Sequence, residues 1–442
     1  MNRILLFILI LASTQHSLRG QAILDQYVKQ AIDQNLSVDE KQALERKQEY
    51  ALEHAGKLGG PEVDFLTTYT VAYKGRNIEL PLGDLLNPVY SALNDITGTQ
   101  NFPPVANQEF NFLPNNFYDA RFRITQPILQ PEIKYNKLIK KEEVTLAELQ
   151  TDETIRDLTQ QVKTAYIQWM RASESILIMD QGLTLLNENK RITESLIKNG
   201  QAIPSALMRI QSDIEHLNAL RQKSISNQIN AASHFNFLLN RPGGTEILPD
   251  VFNGVPVIPT QYDLSRREEL QQIQTGKKIQ ELALQLEEKQ HAPTLGLQLD
   301  LGSQAFAADW GGYVLGGVQL EIPIWDNKKS QLKQKEWRAQ LEATEANYEW
   351  TKNAFDVQMG VEIENLRSDI ELYNSFTDLL SSNQRFYDET VRRYKEGLSN
   401  YIELLDARTE VTSTQLEQNL AKYQSWLRQV NIERMAASTP IQ

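Results

Sequence analysis

Two long segments with few helix breakers, each followed directly by a glycine, constrain the fold of this chain more than any other feature. The segments cover residues 131–199 and 324–396, and Gly200 and Gly397 follow them. Within each segment, apolar residues recur at alternating spacings of three and four, which is typical of the seam of a coiled coil. Helices of this length would extend roughly 100 to 110 Å at about 1.5 Å per residue.

The seam of each helix can be read from the sequence. In the first helix the predicted seam residues are Ile155, Leu158, Val162, Ala165, Trp169, Ala172, Ile176, Met179, Leu183 and Leu186. In the second they are Ile363, Leu366, Ile370, Tyr373, Thr377, Leu380, Gln384, Tyr387, Val391 and Tyr394. So narrow an apolar stripe predicts long helices that pair with partner helices, as in a strut or duct.

The two glycines predict that the chain turns back at the end of each helix. Glycine readily adopts the left-handed conformation that ends many helices, and Pro204 suits the start of a returning helix. After the second glycine the seam resumes at Ile402 and Leu405. We therefore expect two antiparallel helical hairpins, with tips at Gly200–Gln201 and Gly397–Leu398. A kink at either glycine is the alternative interpretation.

The chain carries an internal repeat. Pro127 and Gly200 lie 73 positions apart, and Pro323 and Gly397 lie 74 positions apart. Landmarks that keep such a spacing indicate a duplication. A cluster of proline and glycine residues separates the halves, so we predict a first repeat at 21–240, a linker at 241–262 and a second repeat at 263–442.

Each half also contains two segments in which apolar and polar residues alternate, before its long helix. These four segments lie at 63–73, 117–125, 295–303 and 314–322. Alternation with charges on one face predicts strands that have one apolar side and one wet side. A soluble sandwich would show the same pattern. Between the first two segments, the residues from Lys74 to Asn116 predict a long surface loop with a short helix.

The remaining composition narrows the class of protein. An apolar run from Ile4 to Ala12 predicts a signal peptide at 1–20, with a buried strand as the alternative. The chain lacks cysteine, which excludes disulfides, thiolate metal sites and a lipid-anchored N-terminal cysteine. A net charge of −12 argues against binding nucleic acid. The scattered histidines and the lack of catalytic motifs indicate no enzyme, metal or cofactor site.

These features together favour a membrane barrel with a polar lumen. Four strands cannot close a barrel, and open strand edges are not tolerated in lipid. The chain is then expected to assemble with copies of itself.

With these features, the mature chain resembles the TolC-like outer-membrane efflux protein family. The resemblance rests on the strand-to-helix junctions at Pro127 and Pro323, on "FLLNRPGG" at 237–244, and on "YKEGLSNYIELLDARTEV" at 394–411. It implies a homotrimer with a 12-stranded β-barrel in the lipid of the cell outer membrane, above an α-helical periplasmic tunnel. It also implies hairpin tips that bind a periplasmic adaptor protein, which couples the channel to an inner-membrane RND or ABC transporter.

The resemblance further implies an acidic ring at the periplasmic entrance, formed by Glu403 and Asp406. Residues three apart are neighbours on a helix, and both acids lie one step from the predicted seam. Three copies would place six carboxylates around one constriction, which attracts cations. An ordinary solvated helix face is the alternative interpretation.

One departure from the family concerns the closed entrance. Ser399 and Ala206 stand where the best-known members carry an arginine and an aspartate, while Tyr394 is kept. We therefore predict an entrance held by hydrogen bonds and packing, with Tyr394 and Ser399 contributing, and without that ion pair.

The alternative to a channel is a periplasmic coiled-coil adaptor or structural protein of an envelope-spanning complex. Adaptors usually carry one helical hairpin in each chain, whereas this sequence predicts two hairpins in tandem. Drug, metal and polypeptide export would share one architecture, so the sequence leaves the cargo open.

Overall fold

A computed structural model of the chain describes residues 22–73, 75–111, 113, 115–306 and 309–437. The predicted signal peptide lies outside the described residues. The chain divides into two compact units. The helical unit comprises Met1–Tyr50, Lys140–Glu281 and Trp337–Gln442, and the sheet unit comprises Ala51–Ile139 and Leu282–Glu336.

The secondary structure follows the predicted order. The helices are α1 (Ala22–Gln34), α2 (Leu36–Lys57), α3 (Leu82–Thr97), α4 (Pro131–Lys198), α5 (Pro204–Leu238), α6 (Glu268–Glu288), α7 (Lys329–Lys395) and α8 (Tyr401–Met435). The strands are β1 (Glu62–Thr70), β2 (Asn77–Leu80), β3 (Gln108–Asn111), β4 (Phe117–Leu129), β5 (Thr294–Phe306) and β6 (Gly312–Glu321). A 3₁₀ turn covers Leu264–Arg266. Among the described helices, none is long and apolar enough to cross a membrane.

The two hairpins have nearly equal dimensions. Helices α4 and α7 contain 68 and 67 residues. Their returning helices, α5 and α8, contain 35 residues each. The equality indicates that both halves build the same supersecondary unit, as the conserved spacing of proline and glycine predicts.

Helix α7 begins later than predicted. The expected start was residue 324, but the helix begins at Lys329, after a turn in which Asn327 and Lys328 have positive φ. The carboxylate of Asp326 causes this shift, because it accepts hydrogen bonds from the backbone N–H groups of Lys328 and Ser330, both at 2.9 Å. Asp326 therefore supplies the cap for the first turn, where backbone N–H groups lack helical partners.

The main hydrophobic core lies in the helical unit and includes the predicted linker. Phe252, in that segment, is buried and packs its ring against those of Tyr166, Tyr423 and Trp426. The Trp426 indole N–H donates to the carbonyl of Gly254 at 3.0 Å. The segment 241–262 thus contributes Phe252 to the core, where aromatic rings bury large apolar areas.

Buried ion pairs fix the start of α6. The side chains of Arg156 and Glu268 are 8% and 5% exposed, and Arg156 Nε donates to Glu268 at 2.8 Å. Glu269 accepts from Arg267 at 2.7 Å and from Arg434 at 2.9 Å. Burial acts to raise the pKa of Glu269, but the hydrogen bond from Arg267 and the charge of Arg434 outweigh it and lower the pKa to about 2.

The sheet unit contains one four-stranded antiparallel sheet, in the order β1-β4-β5-β6. These are the four strands that the alternation predicts. Their register aligns one apolar row across the sheet, formed by Phe65, Phe122, Leu301 and Val314. All four side chains are exposed. Strands β1 and β6 lie at the edges of this sheet.

The predicted loop between β1 and β4 has more structure than the sequence indicated. The expected short helix is α3, but β2 and β3 also pair there as an antiparallel ribbon, with Ile78 opposite Phe110. Strands of four residues give too short an alternating pattern to be recognised in a segment rich in proline and asparagine.

Candidate functional site

The tips of the two hairpins have the same backbone geometry. Gly200 and Gly397 have φ values of 72° and 73°. The N–H of Gln201 donates to the carbonyl of Leu196 at 2.8 Å, and the N–H of Leu398 donates to that of Arg393 at 2.8 Å. These bonds, with those of the glycine N–H groups, form a Schellman motif at each tip. Residues with a Cβ atom are strained at such φ values, which explains why glycine is found there.

The two returning helices begin in different ways. Helix α5 begins with Pro204 after Ile203, which makes no side-chain cap. Helix α8 begins after Asn400, whose side-chain oxygen accepts from the N–H of Glu403 at 2.9 Å. The Ser399 hydroxyl donates to the Glu403 carboxylate. Ser399 and Glu403 are therefore joined at the second tip, as part of a polar cap that the first tip lacks.

Glu403 and Asp406 are both exposed, on the same side of α8. Their relation to the seam differs from the prediction. Leu405 is buried as expected, but Ile402 is 65% exposed and Leu404 is buried instead. The buried face of α8 is therefore rotated away from Ile402, and both acids remain free to face solvent or a lumen.

Two further acids, not predicted from the sequence, lie on the same side of α8. Glu410 and Glu417 are exposed and continue the spacing of Glu403 and Asp406 along the helix. We call these four residues the acidic stripe. The spacing of three, four and seven residues between these acids could have predicted the acidic stripe from the sequence.

Tyr394 connects the two hairpins near their tips. Its hydroxyl lies 3.1 Å from that of Thr193 in α4, and both side chains are buried. Its ring packs edge-on against Tyr401, with centroids 6.3 Å apart. Ala206, at the position of the missing aspartate, is buried in the same cluster.

A second connection involves a buried arginine that the sequence did not predict. Arg408 is 4% exposed and donates to the backbone carbonyl of Gly182 at 3.0 Å. A Cβ atom on Gly182 would lie 3.1 Å from the guanidinium, so glycine permits this approach. Burial lowers the pKa of Arg408, and the electrostatic influence of Tyr387 and Asp213 opposes that change. An arginine inside a heptad pattern gives no sign in the sequence that it is buried.

The sheet unit presents a charged face opposite its apolar one. Arg123 lies opposite Asp64 on β1 and Asp300 on β5. It donates to both oxygens of Asp300, at 2.9 and 2.8 Å. Nearby, the hydroxyl of Tyr313 donates to Asp119 at 3.0 Å. These pairs show that the polar side of the sheet is an ordered hydrogen-bonded surface.

Pro127 and Pro323 lie near the ends of β4 and β6, where the chain continues toward α4 and α7. Pro127 is within β4, opposite Gly296, next to a register shift that precedes Leu129. Pro323 follows the end of β6, and its carbonyl oxygen lies 3.1 Å from Nδ1 of His291. Proline lacks the N–H needed for a ladder, so both positions suit the end of regular pairing.

Comparison with known protein families gives a match in the second half of the chain. Residues 261–438 match the family described as "Outer membrane efflux protein". The match covers α6, both strands of the second half, and the hairpin with the acidic stripe. It agrees with the resemblance seen in the sequence. The comparison with curated proteins found no match.

Several solved structures have a similar fold over most of this chain. The outer membrane protein VceC of Vibrio cholerae is 11% identical, with a TM-score of 0.75, covering 94% of this chain and 97% of VceC. The CmeC outer membrane channel of Campylobacter jejuni is 14% identical, with a TM-score of 0.75, covering 94% and 85%. The MtrE outer membrane channel of Neisseria gonorrhoeae is 12% identical, with a TM-score of 0.73, covering 94% and 88%.

Proposed function

We propose that the chain forms the exit duct of a tripartite efflux pump or type I secretion system, because residues 261–438 match the outer membrane efflux protein family and the described chain has the fold of outer-membrane channels. The single observation that carries this proposal is the four-stranded sheet with two unpaired edges. The sheet has one exposed apolar face and one hydrogen-bonded polar face.

The faces of the sheet suit a barrel wall in lipid. Val63, Phe65, Val314 and Val318 are each more than half exposed on the apolar face. Such a surface is unfavourable in water and favourable against hydrocarbon, while the charged side suits a water-filled lumen. In the proposed barrel, the polar face with Arg123 lines the lumen.

The strand order fits closure by three copies. Strands alternate in direction from β1 to β6, so β6 of one copy can pair antiparallel with β1 of the next. No backbone donor or acceptor can remain unpaired in hydrocarbon, so the edges require such pairing. Three copies provide twelve strands, and the proposed assembly is a homotrimer in the cell outer membrane.

The hairpins form the periplasmic part of the proposed duct. Three copies bring six tips together, at Gly200–Gln201 and Gly397–Leu398, as the surface for a periplasmic adaptor. The adaptor in turn couples the duct to an inner-membrane RND or ABC transporter. Glu403 and Asp406 line the entrance and favour the passage of cations. Repeat 1 (21–240) and repeat 2 (263–442) each contribute one hairpin.

Reconstitution of the purified protein in a planar lipid bilayer tests this function. We expect a heat-labile trimer on gels and a cation-selective conductance. Glu403→Gln combined with Asp406→Asn should reduce the cation preference, measured as the reversal potential in a salt gradient. Asp39→Asn, on an exposed position of α2, is the matched control and should leave it unchanged. A water-soluble monomer without conductance would contradict the proposal.

A further inference from the structure

Helix α3, in the segment between β1 and β4, is tied to its own chain along one side. The side chain of Asn87 makes two hydrogen bonds to the backbone of Val105, at 2.8 and 3.0 Å. Asn94 makes two to the backbone of Phe102, at 2.9 and 3.1 Å. A Cβ atom on Gly83 would lie 2.5 Å from the carbonyl oxygen of Val105, so the packing there is close. This side of the helix is therefore fixed against the segment that follows it.

The opposite side of α3 is apolar and exposed. Leu82, Leu85, Val89 and Ile96 lie at spacings of three, four and seven, which places them in one stripe along the helix. Leu85 and Ile96 are 66% and 82% exposed, although α3 is held firmly on its other side. We call these four residues the α3 stripe. Their spacing is the one by which helices pair in coiled coils.

The charge around α3 does not suit a membrane surface. Between Arg76 and Arg121 the sequence has no lysine or arginine, whereas it has five acids, at positions 79, 84, 95, 109 and 119. Amphipathic helices that bind lipid headgroups carry basic residues that pair with anionic phosphates. Such headgroups would repel an acidic segment, so lipid is less suited than protein to cover the α3 stripe.

The position of the segment points to a second copy of the chain. The segment leaves the sheet at Thr70, the end of β1, which is an edge strand. In the trimer of the proposed function, β1 pairs with β6 of the neighbouring copy. Each α3 therefore follows a strand that lies at a boundary between copies. It leaves the sheet at the end opposite to the one where β1 follows α2 and β4 continues into α4.

We propose that the α3 stripes of three copies pack against one another around the threefold axis and form a cap over the exit of the channel. This inference rests on the proposed trimeric channel. Packing three apolar stripes together removes from water the side chains that a single chain leaves exposed. The hydrogen bonds of Asn87 and Asn94 hold each helix in position for that contact.

Cysteine cross-linking tests the cap, since the natural chain has no cysteine. Leu85→Cys and Ile96→Cys place thiols in the stripe, and Ser91→Cys places one on an exposed position about 140° away around the helix. After treatment of the purified trimer with a short bis-maleimide, we expect cross-linked dimers of the chain on denaturing gels from the two stripe variants only. Cross-linking of neither stripe variant, or equal cross-linking of Ser91→Cys, would overturn the cap.

Conductance gives an independent readout. Val89→Glu combined with Ile96→Glu should separate the helices and raise the single-channel conductance at least twofold, while Ser91→Glu should not change it. If the stripe thiols react with maleimide freely in detergent but are protected in vesicles of outer-membrane lipid, lipid is the occupant and the cap is refuted. A conducting trimer without cross-links refutes the cap alone, whereas the absence of a trimer refutes the proposed function as well.

Discussion

Acid should destabilise the helical unit through Glu269. The pKa of this group is lowered from 4.5 to about 2 in the folded chain, and its side chain is 22% exposed. A carboxyl whose pKa is lower in the folded state stabilises that state at pH values above its unfolded pKa. The contribution is lost as the pH falls from about 4.5 through 2. A change of this size corresponds to about 3 kcal/mol at pH 7, as an order of magnitude.

Glu269→Gln removes the charge and keeps the shape of the side chain. We expect the variant to lower the free energy of unfolding by about 3 kcal/mol at pH 7 and by about 1.4 kcal/mol at pH 3, where part of the wild-type stabilisation is already gone. The assay is chemical denaturation of the detergent-solubilised protein, followed by circular dichroism at 222 nm. Comparing the variant with the wild type at each pH cancels the other groups that titrate.

The control for this experiment is Glu364→Gln, at an exposed pair with Arg367. Its loss should be below about 0.5 kcal/mol at either pH, since exposed ion pairs contribute little. If Glu269→Gln lowers the free energy of unfolding by the same amount at pH 7 and pH 3, the stabilisation does not come from the carboxylate charge.

Three further changes test other contacts, each by thermal unfolding in detergent. Gly397→Ala should cost about 1 kcal/mol because of its positive φ, whereas Gly360→Ala, within α7 and with open space around it, should stabilise by up to about 1 kcal/mol; equal effects would contradict the turn geometry. Tyr394→Phe should cost about 1 to 2 kcal/mol, because it leaves the Thr193 hydroxyl buried without its partner, and should also raise the channel conductance; an unchanged conductance would argue against a role at the entrance. Asp326→Ala should cost about 1 kcal/mol by removing the cap of α7, and no loss would mean that other groups satisfy its first turn.

The regular parts of the fold were predictable because period and breaker residues determine them. All four strands of the sheet, the start of α4 at Pro131 and both glycine turns follow from local pattern. The glycine at each tip carries a backbone requirement that other residues meet only with strain. Because the chain is duplicated, the same pattern of strands, proline and glycine occurs twice, and each occurrence supports the other.

Other features were not predictable because they depend on distant contacts or on a choice between adjacent residues. Tyr401 and Ile402, and likewise Leu404 and Leu405, offer two seams of similar hydrophobicity, and the packing of α8 selects the one that leaves Ile402 exposed. The cap at Asp326 was not predicted, because its hydrogen bonds to the following N–H groups are seen only in the structure.

The contact between Arg408 and Gly182 joins residues far apart in sequence, on α8 and α4. Neither residue type signals burial against the other. The contacts of Asn87 and Asn94 were equally unpredictable. Asparagine in a segment rich in proline predicts a turn, and not a side chain that bonds to the backbone of a later residue. The positions of the predicted entrance acids, Glu403 and Asp406, agree with an exposed helix face, and their place in a lumen stays a prediction.

The open edges of the sheet have a genetic consequence. In the proposed trimer, one chain with a damaged β6 edge leaves a gap that its two intact neighbours cannot fill. When damaged and intact chains are made in equal amounts and mix at random, only about one ring in eight is wholly intact. If the proposed trimer forms, a defective gene copy expressed beside a normal one should therefore inactivate most of the channels, a dominant effect that a protein working as separate monomers would not show.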